Sequence, residues 1–146
     1  MIAAAVLVVP LTAQAATPAT PAEPTATVGT AAWTPQIYPL LSGEWVRRGV
    51  PTSEVDSELA ICSWASGIAC VAVGEGDGGH SIFHLFQCDT RTLSNFVDAL
   101  SVRNNQTGGA EVWFRGPNYQ FHAPADGSIR TFPDWATYDF THLDIC

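Results

Sequence analysis

The feature that most constrains this chain is a short pattern that occurs twice, 36 residues apart. One copy is Leu93, Phe96, Asp98 and Ser101; the other is Ile129, Phe132, Asp134 and Thr137. Each reads aliphatic-x-x-Phe-x-Asp-x-x-Ser/Thr. A fixed offset over four chemically matched positions points to a duplicated unit, and a duplicated unit dictates architecture. Two related halves are therefore expected.

Not all of the 146 residues belong to such a unit. Residues 1–15 are apolar and end in Ala13-Gln14-Ala15, an A-x-A cleavage site behind a hydrophobic stretch, so they read as a signal peptide. No basic residue precedes the run, which leaves open a start upstream of Met1. The run is too short for a membrane span, with an uncleaved anchor as the alternative reading. Residues 16–32 are Ala, Thr and Pro-rich, with too few apolar side chains to offset the entropy of ordering, and read as a linker. Residues 33–60 read as an N-terminal extension whose order the sequence leaves open. Pro35, Pro39 and Gly43 interrupt its apolar residues, and Thr52 to Leu59 suits one or two helical turns capped by Thr52 or Ser53. Residues 61–146 form the domain proper, large enough for one small core.

The net charge is −8, and all six basic side chains are Arg. Nucleic acid and anionic membranes are poor partners for such a chain. Once the signal is removed, the expectation is a secreted, extracellular monomer. Four cysteines, all beyond residue 60, read as two disulfides in a secreted chain. Three pairings exist; Cys62–Cys70 with Cys88–Cys146 is favoured, the first closing a small loop and the second tying the last residue to mid-domain. Zinc is disfavoured because no Cys-x-x-Cys occurs.

From Cys62 onward the pattern is that of short strands and turns. Ile68 to Val73 is an apolar strand, followed by the glycine-rich turn Gly74 to Gly79. Ser81 to Cys88 alternates, with Ile82, His84 and Phe86 opposite Phe83, Leu85 and Gln87. Leu93 to Leu100 reads as a helical turn or loop. Strands follow at Ser101 to Asn104, Glu111 to Phe114 and Tyr119 to His122; Pro117-Asn118 marks a tight turn in which Asn tolerates the left-handed region. The expected fold is an all-β, two-sheet Greek-key sandwich.

Cys62, Gly67, Cys70-Val71, the glycine-rich turn, Phe96 to Asn104 and Val112 to Tyr119 together resemble the secreted βγ-crystallin-like domains of bacteria. Within these, the chain is similar to the family of the streptomycete metalloproteinase inhibitor over about Cys62 to Cys146. The family's hairpin signature, aromatic-x-x-x-x-aromatic-x-Gly, is met by Phe114 and Tyr119, with Phe121 in place of the glycine; Ala72 or Val73 replaces the aromatic in the first half. The related calcium motif keeps only Asp98, Ser101, Asp134 and Thr137. The resemblance implies a weak calcium site in each half from these four residues; the alternative is that they bond nearby backbone amides. It also implies inhibition of an extracellular protease, a metalloproteinase, by stoichiometric loop binding. The family's inhibitory loop is tied by a second-half disulfide that this chain lacks, so its position here is unknown. The Cys62–Cys70 loop matches the family's N-terminal disulfide loop.

Other chemistry is thinly supported. His80 and His84 share a strand face and, with Asp77 or His122, make a weak metal set. Ser81 beside His80 points to the opposite face, and no Gly-x-Ser-x-Gly occurs, so no enzyme is expected. Trp64, Trp113, Tyr119, Trp135 and Tyr138 could stack on sugar rings or serve as packing. The alternative function is thus a non-enzymatic structural or binding module for calcium or a glycan. Asn105-Gln106-Thr107 is a formal glycosylation sequon.

Overall fold

The structure is a computed structural model and describes residues 33–146; the signal-peptide and linker readings fall outside the described residues. Its strands are β1 (Gln36–Tyr38), β2 (Trp45–Pro51), β3 (Ile68–Gly74), β4 (Gly79–Leu85), β5 (Asp89–Ser94), β6 (Leu100–Asn105), β7 (Val112–Arg115), β8 (Gln120–Ala123), β9 (Ile129–Phe132) and β10 (His142–Ile145). A 3-10 turn, Thr52–Glu54, leads into helix α1 (Val55–Ile61), and a short helix α2 (Asp134–Thr137) lies between β9 and β10. The protein is mostly β, with two antiparallel five-stranded sheets, ordered β1-β5-β10-β7-β8 and β2-β4-β3-β6-β9.

The main core lies between the sheets. Val71, Val73, Phe83 and Val102 from one sheet meet Phe114, Leu143 and Ile145 from the other. A second, smaller core sits on the outer face of the β2-containing sheet. There α1 lays Val55 and Leu59, spaced four apart on one helical face, over Ile68, Cys70, Ala72 and Ile82. That cover explains why β3 is apolar at every position, since both its faces are buried. The alternation expected in β4 holds, with Phe83 and Leu85 in the main core and Ile82 in the outer one.

Strands β3 to β6 and β7 to β10 follow one plan. In each set the first strand pairs with the second and the fourth. The third crosses to the opposite sheet, so that β5 joins β10 and β9 joins β6. The register of the sets differs from that of the sequence pattern. A Cβ on Gly74 would lie 2.7 Å from the Asp98 carboxylate, and one on Gly116 would lie 2.1 Å from the Asp139 carbonyl. Asp98 and Asp139, each between the third and fourth strands, thus hold equivalent places. Asp134 and Thr137 instead begin and end α2, whereas Ser101 is in β6. The added helix lengthens the connection between the third and fourth strands of the second set, so the equivalent aspartates do not keep the 36-residue offset.

The segment 33–60 supplies an edge strand to each sheet, β1 beside β5 and β2 beside β4. It is anchored by Glu44, whose buried carboxylate accepts hydrogen bonds from the Leu41, Phe86 and Gln87 amides at 2.9, 3.0 and 3.1 Å. The same carboxylate meets the fully buried Arg91 guanidinium at 2.7 Å. Neither Thr52 nor Ser53 caps α1. The N-cap is Glu54, and the Thr52 hydroxyl instead donates to the Gly78 carbonyl at 3.0 Å, tying the turn to the β3–β4 hairpin. Leu93, read as part of a helical turn or loop, is in β5, where it pairs with Ile37. Asn118 is not among the residues of positive φ; its turn is closed by Asp139.

Candidate functional site

Helix α1 does not stop cleanly at Ile61. Three further bonds of 3-10 type carry it on: Cys62, Ser63 and Trp64 amides donate to the Leu59, Ala60 and Ile61 carbonyls at 3.2, 3.0 and 3.1 Å. Gly67, at φ +83°, then turns the chain back into β3, and its amide donates to the Asn105 carbonyl at 2.8 Å. The Cys62–Cys70 disulfide closes this turn. Asn105 braces it from the end of β6. Its side-chain amide donates to the carbonyls of Cys62, Ser63 and Ala65 at 3.2, 3.3 and 2.8 Å. A turn with one covalent tie and three bonds to a single scaffold amide loses little freedom on docking. At its crown Trp64 is 89% exposed.

The sequence singled out Asn105 only as part of a sequon. Its role as a brace depends on β6 ending beneath the α1–β3 turn, a long-range juxtaposition with no local signal. The second disulfide, Cys88–Cys146, fixes the C-terminal end of β10 against the start of β5.

The residues implied as calcium ligands lie in different settings. The Ser101 hydroxyl pairs across the strands with Thr131 at 3.0 Å. The Thr137 hydroxyl donates to the Pro133 carbonyl at 3.3 Å. Asp98 packs on Gly74, and Asp134 is exposed at the start of α2. Neither aspartate belongs to a gathering of three metal-ligating His, Cys, Asp or Glu side chains among the described residues.

The histidines also separate. His80 and His84 do lie in β4, but His122 is on the other sheet, stacked on Trp113 at 4.6 Å and 3.4 Å from Glu111. Asp77 accepts the Gly79 amide at 2.9 Å. Ser81 is buried and donates to Glu75 at 2.6 Å, so no His–Ser pair forms there.

A groove of about 730 Å³ runs along the open face of the β1-containing sheet, between Cys88–Thr90, Gly109–Glu111 and the Trp113, Arg115 and Asp144 side chains. Arg115 pairs with Asp144 and lies over the Trp113 ring at 5.1 Å. Burial pushes the Asp144 carboxyl up, but the Arg115 bond and charge outweigh it and hold it below the usual range. A second aromatic group, Tyr119, Phe121 and Trp135, packs edge-to-face at the far edge, with centroids 4.8 and 6.2 Å apart.

Among the described residues no helix is long and apolar enough to cross a membrane. Comparison of the chain with protein families, with curated proteins and with solved structures finds no match in any of the three.

Proposed function

We propose that this is a secreted, βγ-crystallin-like Greek-key protein that binds and inhibits an extracellular peptidase, a metalloproteinase by its resemblance, through the Cys62–Cys70 turn. The observation that carries the reading is Trp64, 89% exposed on a turn held by a disulfide and by Asn105. A pre-ordered aromatic knob is what a tight, stoichiometric contact needs, because little ordering entropy is lost on docking. The turn is helical, so Trp64 enters the partner as a side-chain anchor and no bond of the turn is cleaved. The crossed third strands of the two four-strand sets support the Greek-key reading, and the disulfides support an oxidising, extracellular setting.

The test is titration of the oxidised protein against a thermolysin-like metallopeptidase. Stoichiometric loss of activity is expected, weakened about 100-fold in Trp64→Ala, as for a buried aromatic anchor. Absence of inhibition at micromolar protein, or full potency in Trp64→Ala, overturns the reading. A second reading, glycan binding, is favoured by one observation: the open groove beside Trp113 offers an indole next to an Arg–Asp pair. Retention on polysaccharide that is lost in Trp113→Ala is its test.

A further inference from the structure

One rung of the β2-containing sheet runs through Trp45, His84, Cys70, Arg103 and Ile129, each opposite the next. Directly opposed residues point to the same face, here the outer face under α1. Cys62, at the end of α1, reaches the same place. The Cys62 and Cys70 sulfurs and a His84 ring nitrogen all lie within 4.8 Å of one another, and all three residues are buried. His84 is 1% exposed, and among the described residues neither of its ring nitrogens has a hydrogen-bond partner. Burial pushes its pKa down, against a smaller upward pull from the Ile82 backbone. Glu58 and Arg47 are the charged groups near it. Trp45 stacks on the imidazole at 3.5 Å and shields it from solvent. A buried imidazole with no partner on either side is costly and calls for a ligand.

We propose that, when the Cys62–Cys70 disulfide is reduced, Cys62, Cys70 and His84 form a site for a soft monovalent cation, copper(I). A dithiol reductant supplies two electrons and two protons, breaks the S–S bond to give two thiols, and is itself oxidised to a disulfide. On binding, both thiols release their protons and the imidazole donates its lone pair. Two thiolates and one imidazole in a dry pocket suit three-coordinate copper(I). Zinc on this donor set needs a water to complete its tetrahedron, which a buried pocket disfavours, whereas copper(I) is satisfied by three ligands. Ligand bonds of about 2.0–2.3 Å place the donors about 4 Å apart, so the two sulfurs, bonded to each other in the disulfide, must separate on reduction while staying beside His84. Trp45, on the edge strand and half exposed, is the side chain whose movement admits reductant and metal. The site uses the two cysteines whose disulfide holds the Trp64 turn, so it forms only in the reduced chain; the Trp64 contact is tested on the oxidised chain, and either proposal can fail alone.

The test reduces the full chain with a phosphine under anaerobic conditions and titrates copper(I) against a chromophoric chelator. X-ray absorption then reads the ligands of the first equivalent. The expected result is one tight equivalent with two sulfurs and one imidazole, weakened at least tenfold in His84→Phe and retained in Cys88→Ala/Cys146→Ala. If His84→Phe does not fold, His84→Gln takes its place. A sulfur-only first equivalent, an affinity unchanged by loss of the imidazole, or binding no tighter than that of the fully alkylated chain overturns the proposal. So does a reduced chain that loses its sheet signal and does not regain it with copper(I).

Discussion

Strands β3 to β6 and β7 to β10 share a strand plan and differ in what covers them. The hairpin of the first set has seven-residue strands, roofed by α1. The hairpin of the second has four-residue strands whose outer face is open, carrying Trp113, Arg115 and His122. One strand plan thus yields a buried half that can present a turn and an open half that can present a face. The roof comes from residues before β3, so the N-terminal segment creates the difference between two otherwise similar sets.

The strongest test of that difference is covalent. Cys88–Cys146 spans 58 residues and joins the end of the first set's hairpin to the end of the second set. Cys62–Cys70 spans 8 and fastens the roof locally. On loop entropy alone, replacing the long-span pair with alanines should cost about 4 kcal/mol and the short-span pair about 2.5 kcal/mol. Urea unfolding of each variant measures this; equal losses would mean that the halves do not depend on the cross-tie. Next comes the roof itself. Leu59→Ala empties a fully buried site and should cost about 3 kcal/mol, whereas Trp113→Ala on the open face should cost about 1 kcal/mol or less. A Trp113 loss as large as that of Leu59 would show that the open face carries core packing.

Much of this plan was legible in the chain. The runs Ile68–Val73 and Ser81–Cys88 reveal themselves by apolar content and period, because α1 buries the faces that would otherwise be polar. The strand β5 hid behind Asp89, Thr90, Arg91 and Thr92, which look like loop residues. Arg91 points inward and is neutralised by Glu44, a pairing visible only once the distant segment 41–44 is docked. The 36-residue pattern pointed to two alike sets of strands, yet their register did not follow it. Phe96 and Phe132 both reach the core, so the pattern matched the two aromatics, while α2 separates Phe132 from the true counterpart of Asp98. Trp64 stood out by type; its brace, Asn105, did not.

The equivalence of Asp98 and Asp139 is itself testable, with smaller effects. Gly116→Ala puts a methyl group against the Asp139 backbone, which cannot move aside, and should cost about 2–3 kcal/mol. Gly74→Ala meets mainly the Asp98 side chain, which can rotate away, and should cost about 1 kcal/mol. Thermal melts of the pair rank them. A Gly74 loss equal to that of Gly116 would mean that Asp98 is held as firmly as the Asp139 main chain.

The smallest effect comes from how the two hairpin turns are closed. In the first set the Glu75 amide donates to the Gly79 carbonyl at 2.8 Å, and within that turn the Asp77 carboxylate accepts only the Gly79 amide, at 2.9 Å. In the second, the Gly116–Tyr119 backbone bond is joined by the Asp139 carboxylate, which accepts from the Asn118 and Tyr119 amides at 2.9 and 2.8 Å and from the Asn118 side chain at 2.7 Å. Partial burial pushes the Asp139 carboxyl up, but these bonds outweigh it and leave it below its ordinary value of 3.8. A depressed folded-state value means that the contribution is present above the unfolded pKa and is lost as pH falls through the folded one. Asp126, held to about 2 by Ser128 and Arg130, titrates by the same rule in the next loop. Acid below pH 3.8 should therefore loosen the second hairpin turn, whereas the Glu75–Gly79 backbone bond of the first turn carries no titrating group. Proton NMR reads this directly: the Asn118 and Tyr119 amide shifts should follow one carboxylate with a midpoint below 3.8, and Asp139→Asn should abolish that titration. A midpoint at or above 3.8 would show that burial, rather than the amides, governs Asp139, and the contrast between the two turns would then rest on backbone geometry alone.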